Sequence, residues 1–166
     1  MSLHPILRRC WMKRGQRKTI PAPGAPRYTH TFGAYNWRDG RVSYQTKERK
    51  NSDSFIEFIE HIMLTEYLDV KVIMVLDNAS YHRSYASMAA LSLFEERLHV
   101  VWLPKYCPFL NAIERFWLQL KTLAAANRLC RDMDELIRAI DETIFNQNQL
   151  DHPDRLDFAQ HFQLTA

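Results

Sequence analysis

The sequence predicts one mixed α/β domain over residues 1–166, a sheet with flanking helices. Three observations predict it: a glycine-turned hairpin near the start, two short apolar runs with a helical stretch between them, and two amphipathic stretches towards the end. An antiparallel hairpin joined to parallel strands, with helices outside, packs as a mixed sheet.

The first elements follow in order. Residues 5–26 read as loop and short extended pieces, punctuated by Pro5, Gly15, Pro21, Pro23, Gly24 and Pro26. Tyr28 to Trp37 and Val42 to Thr46 read as strands joined at Asp39-Gly40. A tight primed turn there needs positive φ, which glycine adopts freely and aspartate tolerates. Ser54 and Glu57 then form a capping-box pattern. Phe55, Ile59, Ile62 and Met63 recur at helical spacing, and the helix should end near Tyr67.

Lys71 to Leu76 and Leu98 to Leu103 are continuous apolar runs, the pattern of strands buried on both faces. Between them Ser84 to Glu96 reads as a helix, with Met88, Leu91 and Phe94 or Glu95 at three- and four-residue steps. Strand, helix, strand is a βαβ unit with parallel strands. Pro104 and Pro108 hold a rigid loop before a helix from Asn111 to Ala126, whose apolar face is Ile113, Phe116, Trp117, Leu120 and Ala124. Asp132 with Glu135 starts a last helix carrying Met133, Leu136, Ile137, Ile140 and Ile144, and the tail from Asn146 is weakly patterned.

Composition narrows the class. The chain is long enough to bury a core without disulfides, and 46% hydrophobic with 12% aromatic residues excludes a disordered protein. Cys10, Cys107 and Cys130 are odd in number and widely spaced, which fits free thiols in a reducing compartment and no zinc site. No apolar run is long enough to span a membrane and no signal peptide is visible, so a cytoplasmic location is expected. Net charge is only +3, but Arg8, Arg9, Lys13, Arg14, Arg17, Lys18 and Arg27 form a block with no acid before Asp39. Such a block suits DNA or is a solvated surface. A transit peptide is discounted, because Trp11, Gly15 and Pro21 interrupt any long amphipathic helix.

Two segments carry chemistry. In Leu76-Asp77-Asn78-Ala79-Ser80-Tyr81-His82, Asp77 ends a buried strand. Ligands in open α/β sheets bind beyond such ends, and a carboxylate there suits a hard cation. An aspartate capping the turn through Asn78 and Ser80 explains the position equally well. The second segment runs from Leu103 to Trp117. Asn111 suits an N-cap and Glu114 the third helical position, which is sufficient reason for both residues. Yet Glu114 is displaced from the Ile113, Phe116 and Trp117 face, so it can point back towards Asp77. His82 has two readings, near a metal site or capping the next helix.

Taken together, Asp77, Asn78 and His82 with Leu103, Pro104, Tyr106, Pro108, Leu110, Asn111, Ile113 and Glu114 resemble the second and third acidic motifs of mariner-like DDE transposases, particularly the bacterial insertion-sequence branch. Ala112 stands where the family has proline. The likeness continues through Phe116, Trp117 and Lys121, and upstream through Leu3-His4-Pro5, Trp11 and Gly15-Gln16. It implies a ribonuclease H-like fold, whose element order matches with one extra strand before the hairpin. It implies DNA cleavage and strand transfer at transposon ends. The catalytic and metal-binding acids would be Asp77 and Glu114, with two Mg2+ (or Mn2+) ions in the complete family site. Lys105, Arg115 and Lys121 are candidates for phosphate contacts.

The family's first aspartate lies on the opening strand, just before the Leu3-His4-Pro5 stretch, and no residue here matches it. Asp39 is explained by the hairpin, while Glu48 and Asp53 lack a strand end. The expectation is therefore an incomplete site, inactive in the isolated chain. An upstream fragment would carry the first aspartate and a helix-turn-helix DNA-binding domain. DNA is the expected partner, with a homodimer as a further one, and the location is cytoplasmic at the bacterial nucleoid. The alternative is a catalytically dead remnant that binds DNA or dimerises. A Holliday-junction resolvase fits less well, because of the proline-rich loop before Asn111.

Overall fold

The structure, a computed structural model, describes residues 1–150 apart from 18, 22, 23, 25 and 26. Lys18, Pro23 and Pro26 of the N-terminal reading, and the tail beyond 150, lie outside the described residues. The main elements run in the order β1 (His30–Tyr35), β2 (Val42–Lys47), α1 (Ser52–His61), β3 (Val72–Leu76), α2 (Tyr85–Ser92), β4 (Leu98–Trp102), α3 (Ala112–Ala125) and α4 (Met133–Gln149). The chain divides into two compact units. One comprises Met1–Thr29, Asn36–Val42 and the residues from Arg115 onward; the other comprises His30–Tyr35 and Ser43–Glu114.

The second unit holds the strand ends. Its β3 and β4 pair in parallel, Val72 opposite Leu98 through Leu76 opposite Trp102, as the βαβ reading requires. α2 is shorter than expected. Ser84 caps it, and after Ser92 the chain tightens into three-residue turns that deliver Leu98 to β4. α1 starts earlier than expected: Asn51, not Ser54, is the N-cap, and its side chain accepts from the Ser54 N–H at 3.1 Å. A π-turn over Ile62–Glu66 then carries the helix to Tyr67. Phe55, Phe58, Ile59, Ile62 and Met63 pack with Phe32 of β1, Met74 and Leu76 of β3, Leu91 and Leu98 into one core.

Two expectations about the sheet are corrected. Among the described residues there is no single mixed sheet: β1 pairs with β2 and β3 with β4, in separate two-stranded sheets. β1 and β3 share the core without pairing to each other. Nor is β3 buried on both faces. Met74 and Leu76 face the core, whereas Ile73 is 73% exposed and Val75 48%. An uninterrupted apolar run reports strand propensity, but what covers its second face depends on distant packing.

In the first unit the loop between β1 and β2 is not a two-residue primed turn. Gly40 alone takes positive φ (68°), and the Asn36 N–H donates to the Arg41 carbonyl across four loop residues. Asn127, at φ 53°, ends the turn after α3 and clasps the N-terminal segment. Its side chain accepts from the Arg8 N–H and donates to the Arg8 carbonyl, both at 3.0 Å. α4 runs to Gln149, further than the pattern suggested, and buries Leu136, Ala139, Ile140 and Ile144. Asn148 near its end bonds both the N–H and the carbonyl of Val42.

Candidate active site

Asp77 sits immediately after β3, and Glu114 in the first turn of α3. The Glu114 N–H donates to the Asn111 carbonyl at 3.1 Å, so the helix starts at the predicted residue. Both acids line one cavity of about 450 Å³, with Asn78, Leu103, Lys105, Tyr106 and Asn111 among its other walls. The negative charges of Asp77 and Glu114 both act on the half-buried Tyr81 phenol. Together with burial, the larger cause, they push it up to about 12.

The end of β3 is held by short-range bonds. Asp77 Oδ1 accepts from the Ala79 N–H at 3.0 Å, the turn predicted as the bland role of this residue. The same oxygen lies 2.8 Å from His82 Nδ1. His82 is buried against Phe55 and Tyr81, with ring centroids at 4.4 and 4.3 Å. Burial pushes its pKa down, with the Asp77 charge pulling the other way. It does not cap α2; Ser84 does, accepting from the Ser87 N–H at 3.1 Å. Asn78 donates to the Leu103 carbonyl and accepts from Arg83 Nε and Nη2 at 3.2 and 2.9 Å. The Arg83 guanidinium in turn lies 3.7 Å over the Trp102 ring.

Lys105 lines the same cavity, exposed. Beside it Tyr106 holds φ at 62° with its side chain 95% exposed. A non-glycine residue in that region is strained, and such strain clusters at functional loops. Arg115 and Lys121 lie exposed on the part of α3 that belongs to the other unit. Trp117 is half-buried and not a core residue. Sequence reasoning placed Tyr106 in the motif but not its positive φ, which no residue type announces, and it missed Arg83, whose role depends on the pairing of β3 with β4.

Two carboxylates with room for water suit a hard, hydrated cation, and the Cys107 thiol also lines the cavity. Among the described residues no group of three or more His, Cys, Asp or Glu could hold a metal ion. Two carboxylates suit one hydrated ion and fall short of a two-ion site. No helix among the described residues is long and apolar enough to cross a membrane.

Comparison with known proteins gives the family and the fold. The DDE superfamily endonuclease family model matches residues 1–137. A 39 kDa protein of insertion element IS630 from Shigella sonnei is 27% identical over 138 residues, covering 83% of this chain and 40% of its own length. The fold is similar to Mos1 transposase in its paired-end complex with the left transposon end (TM-score 0.63, 16% identity, 86% of this chain and 44% of that one). The Mos1 strand transfer complex matches with TM-score 0.60 at 16% identity, over 86% and 43% of the two chains. A chain of the simian T-cell lymphotropic virus intasome in complex with PP2A regulatory subunit B56 gamma matches with TM-score 0.54 at 19% identity, over 74% and 48%. The chain thus spans less than half the length of each of these proteins.

Proposed function

This chain belongs to the DDE superfamily endonucleases and has a ribonuclease H-like fold, and on that premise we propose that it is the catalytic core of a DNA transposase whose metal-binding acids are Asp77 and Glu114. The observation that carries the assignment is the shared cavity, which joins a strand-end aspartate to a helix-start glutamate across a gap in sequence. Mg2+ or Mn2+ bound there would neutralise charge at a scissile phosphate and lower the pKa of a bound water. Asp77 and Glu114 would hold the ion, and Lys105 at the cavity wall would contact a phosphate oxygen. Arg115, Lys121 and the exposed Arg8, Arg9, Lys13, Arg14, Arg17 and Arg27 would add sequence-independent contacts to transposon ends and target DNA.

The 166 residues, read as one catalytic domain, contribute two of the three acids that the family chemistry uses. We therefore expect one ion, weakly bound, and little cleavage by this chain alone. The split sheet supports an acid-bearing strand from an upstream segment that would lie between β1 and β3. The same segment would bring the helix-turn-helix domain, and a homodimer would synapse two ends. The location would be the nucleoid. A dead remnant that binds DNA or dimerises is the second reading, favoured by the two-acid cavity alone.

Calorimetric titration with Mn2+ tests the assignment. Binding by the wild type that Asp77→Ala and Glu114→Ala each abolish is the expected result. Equal binding by all three proteins would remove both acids from the site.

A further inference from the structure

Asp77 is held through one oxygen. Its Oδ1 accepts from the Ala79 N–H and lies 2.8 Å from His82 Nδ1. That nitrogen is also 3.3 Å from the Asp77 carbonyl oxygen. Both neighbours are acceptors only, so Nδ1 carries the ring proton and donates. The two bonds use Oδ1, and Oδ2 is the oxygen left for the cavity. The donor is itself packed in place: His82 is 9% exposed and lies against both the Phe55 and Tyr81 rings.

We propose that His82 is a positioning residue that locks the Asp77 carboxylate, so that Oδ2 alone meets the metal and the site prefers a small octahedral cation. The inference rests on the reading of Asp77 as a metal ligand. A carboxylate's terminal torsion is broad and close to two-fold, so an unheld aspartate can turn both oxygens towards one ion. Bidentate chelation suits Ca2+, which takes many ligands at long and flexible distances. Mg2+ and Mn2+ sites of octahedral geometry favour one oxygen per carboxylate at fixed direction. Outer hydrogen bonds of this kind orient metal ligands in general, and their loss costs about 10–100-fold in affinity.

The test is Mn2+ and Ca2+ affinity, by calorimetry, for the wild type, Asp77→Ala, His82→Phe and His82→Asn. His82→Phe keeps a ring against Phe55 and Tyr81 but removes the donor. It should weaken Mn2+ about tenfold and Ca2+ less, so that the preference falls. His82→Asn can place an amide N–H near the position of Nδ1 and should restore most of the preference. An unchanged Mn2+ to Ca2+ ratio in His82→Phe would overturn the positioning role. If the wild type binds no Mn2+, or Asp77→Ala binds it equally, the ligand reading fails instead. Should His82→Phe not fold, 15N imidazole spectra of the wild type decide. A proton on Nδ1 is expected, and a neutral ring with bare Nδ1 overturns the lock.

Discussion

Asn78 closes onto Leu103: its side-chain amide donates to the Leu103 carbonyl, while the Leu103 N–H donates to the Leu76 carbonyl at 2.9 Å. The residue that follows Asp77 thereby ties the end of β3 to the start of the loop that carries Lys105 and Tyr106. Arg83 completes the tie by holding the Asn78 oxygen while stacked on Trp102. Replacing Asn78 with leucine removes donor and acceptor together and strands the Leu103 carbonyl. We expect a loss of about 1 kcal/mol in urea unfolding. An equal loss is not expected from Arg83→Ala, because Arg83 is exposed and water replaces it.

The start of α4 is a reciprocal cap. Asp132 accepts from the Glu135 N–H at 2.8 Å, and the Glu135 carboxylate accepts from the Arg131 N–H at 2.8 Å. The bond from the Arg131 N–H, with one from the Arg128 guanidinium, holds the Glu135 carboxyl below its ordinary range. Asp132→Ala should destabilise by about 1 kcal/mol in thermal or urea unfolding. Asp132→Asn should recover most of that, since an amide oxygen also accepts.

Ile59 and Ile73 have the same side chain in opposite environments, 0% and 73% exposed. Ile59→Ala opens a cavity in the core around Phe55 and Met63 and should cost about 2–5 kcal/mol. Ile73→Thr keeps the β-branch on an exposed face and should stay within about 0.5 kcal/mol of wild type. Parallel urea denaturation curves read both.

The sequence revealed what depends on neighbours along the chain. The parallel strands, the Asp132 cap and the strand-end place of Asp77 all follow from runs, alternation and capping residues within a few positions. The motif around Asp77 and Glu114 was legible because a strand end and a helix start are both local signals. What escaped depended on partners far away. The exposed side of β3 is set by what packs on it, which the Lys71 to Leu76 run cannot state. The division into two sheets reflects which strand lies beside β1, also a non-local fact. Asn51 lost to Ser54 in the reading because both precede the apolar residues, and only backbone geometry decides which one is extended. His82 could be placed near Asp77 from spacing, but not shown to bond Oδ1.

Tyr81 reports on the two acids without any metal. Burial raises its pKa first, and the charges of Asp77 and Glu114 raise it further, to about 12. Because the folded value lies above the ordinary 10, the unfolded chain releases this proton first as pH rises. The contribution of the neutral phenol to stability is therefore full below pH 10 and is lost as the pH climbs through about 12. Removing one charge at a time separates the causes. Asp77→Asn and Glu114→Gln should each lower the Tyr81 pKa, with Asp77→Asn lowering it more. Neither should bring it to the ordinary value, because burial remains. Tyrosine ring-carbon NMR resolves Tyr81 from the other six tyrosines, with Tyr81→Phe giving the assignment. If Asp77→Asn shifts the titration and Glu114→Gln does not, the Glu114 charge does not reach the Tyr81 phenol, and the two carboxylates do not share one field there.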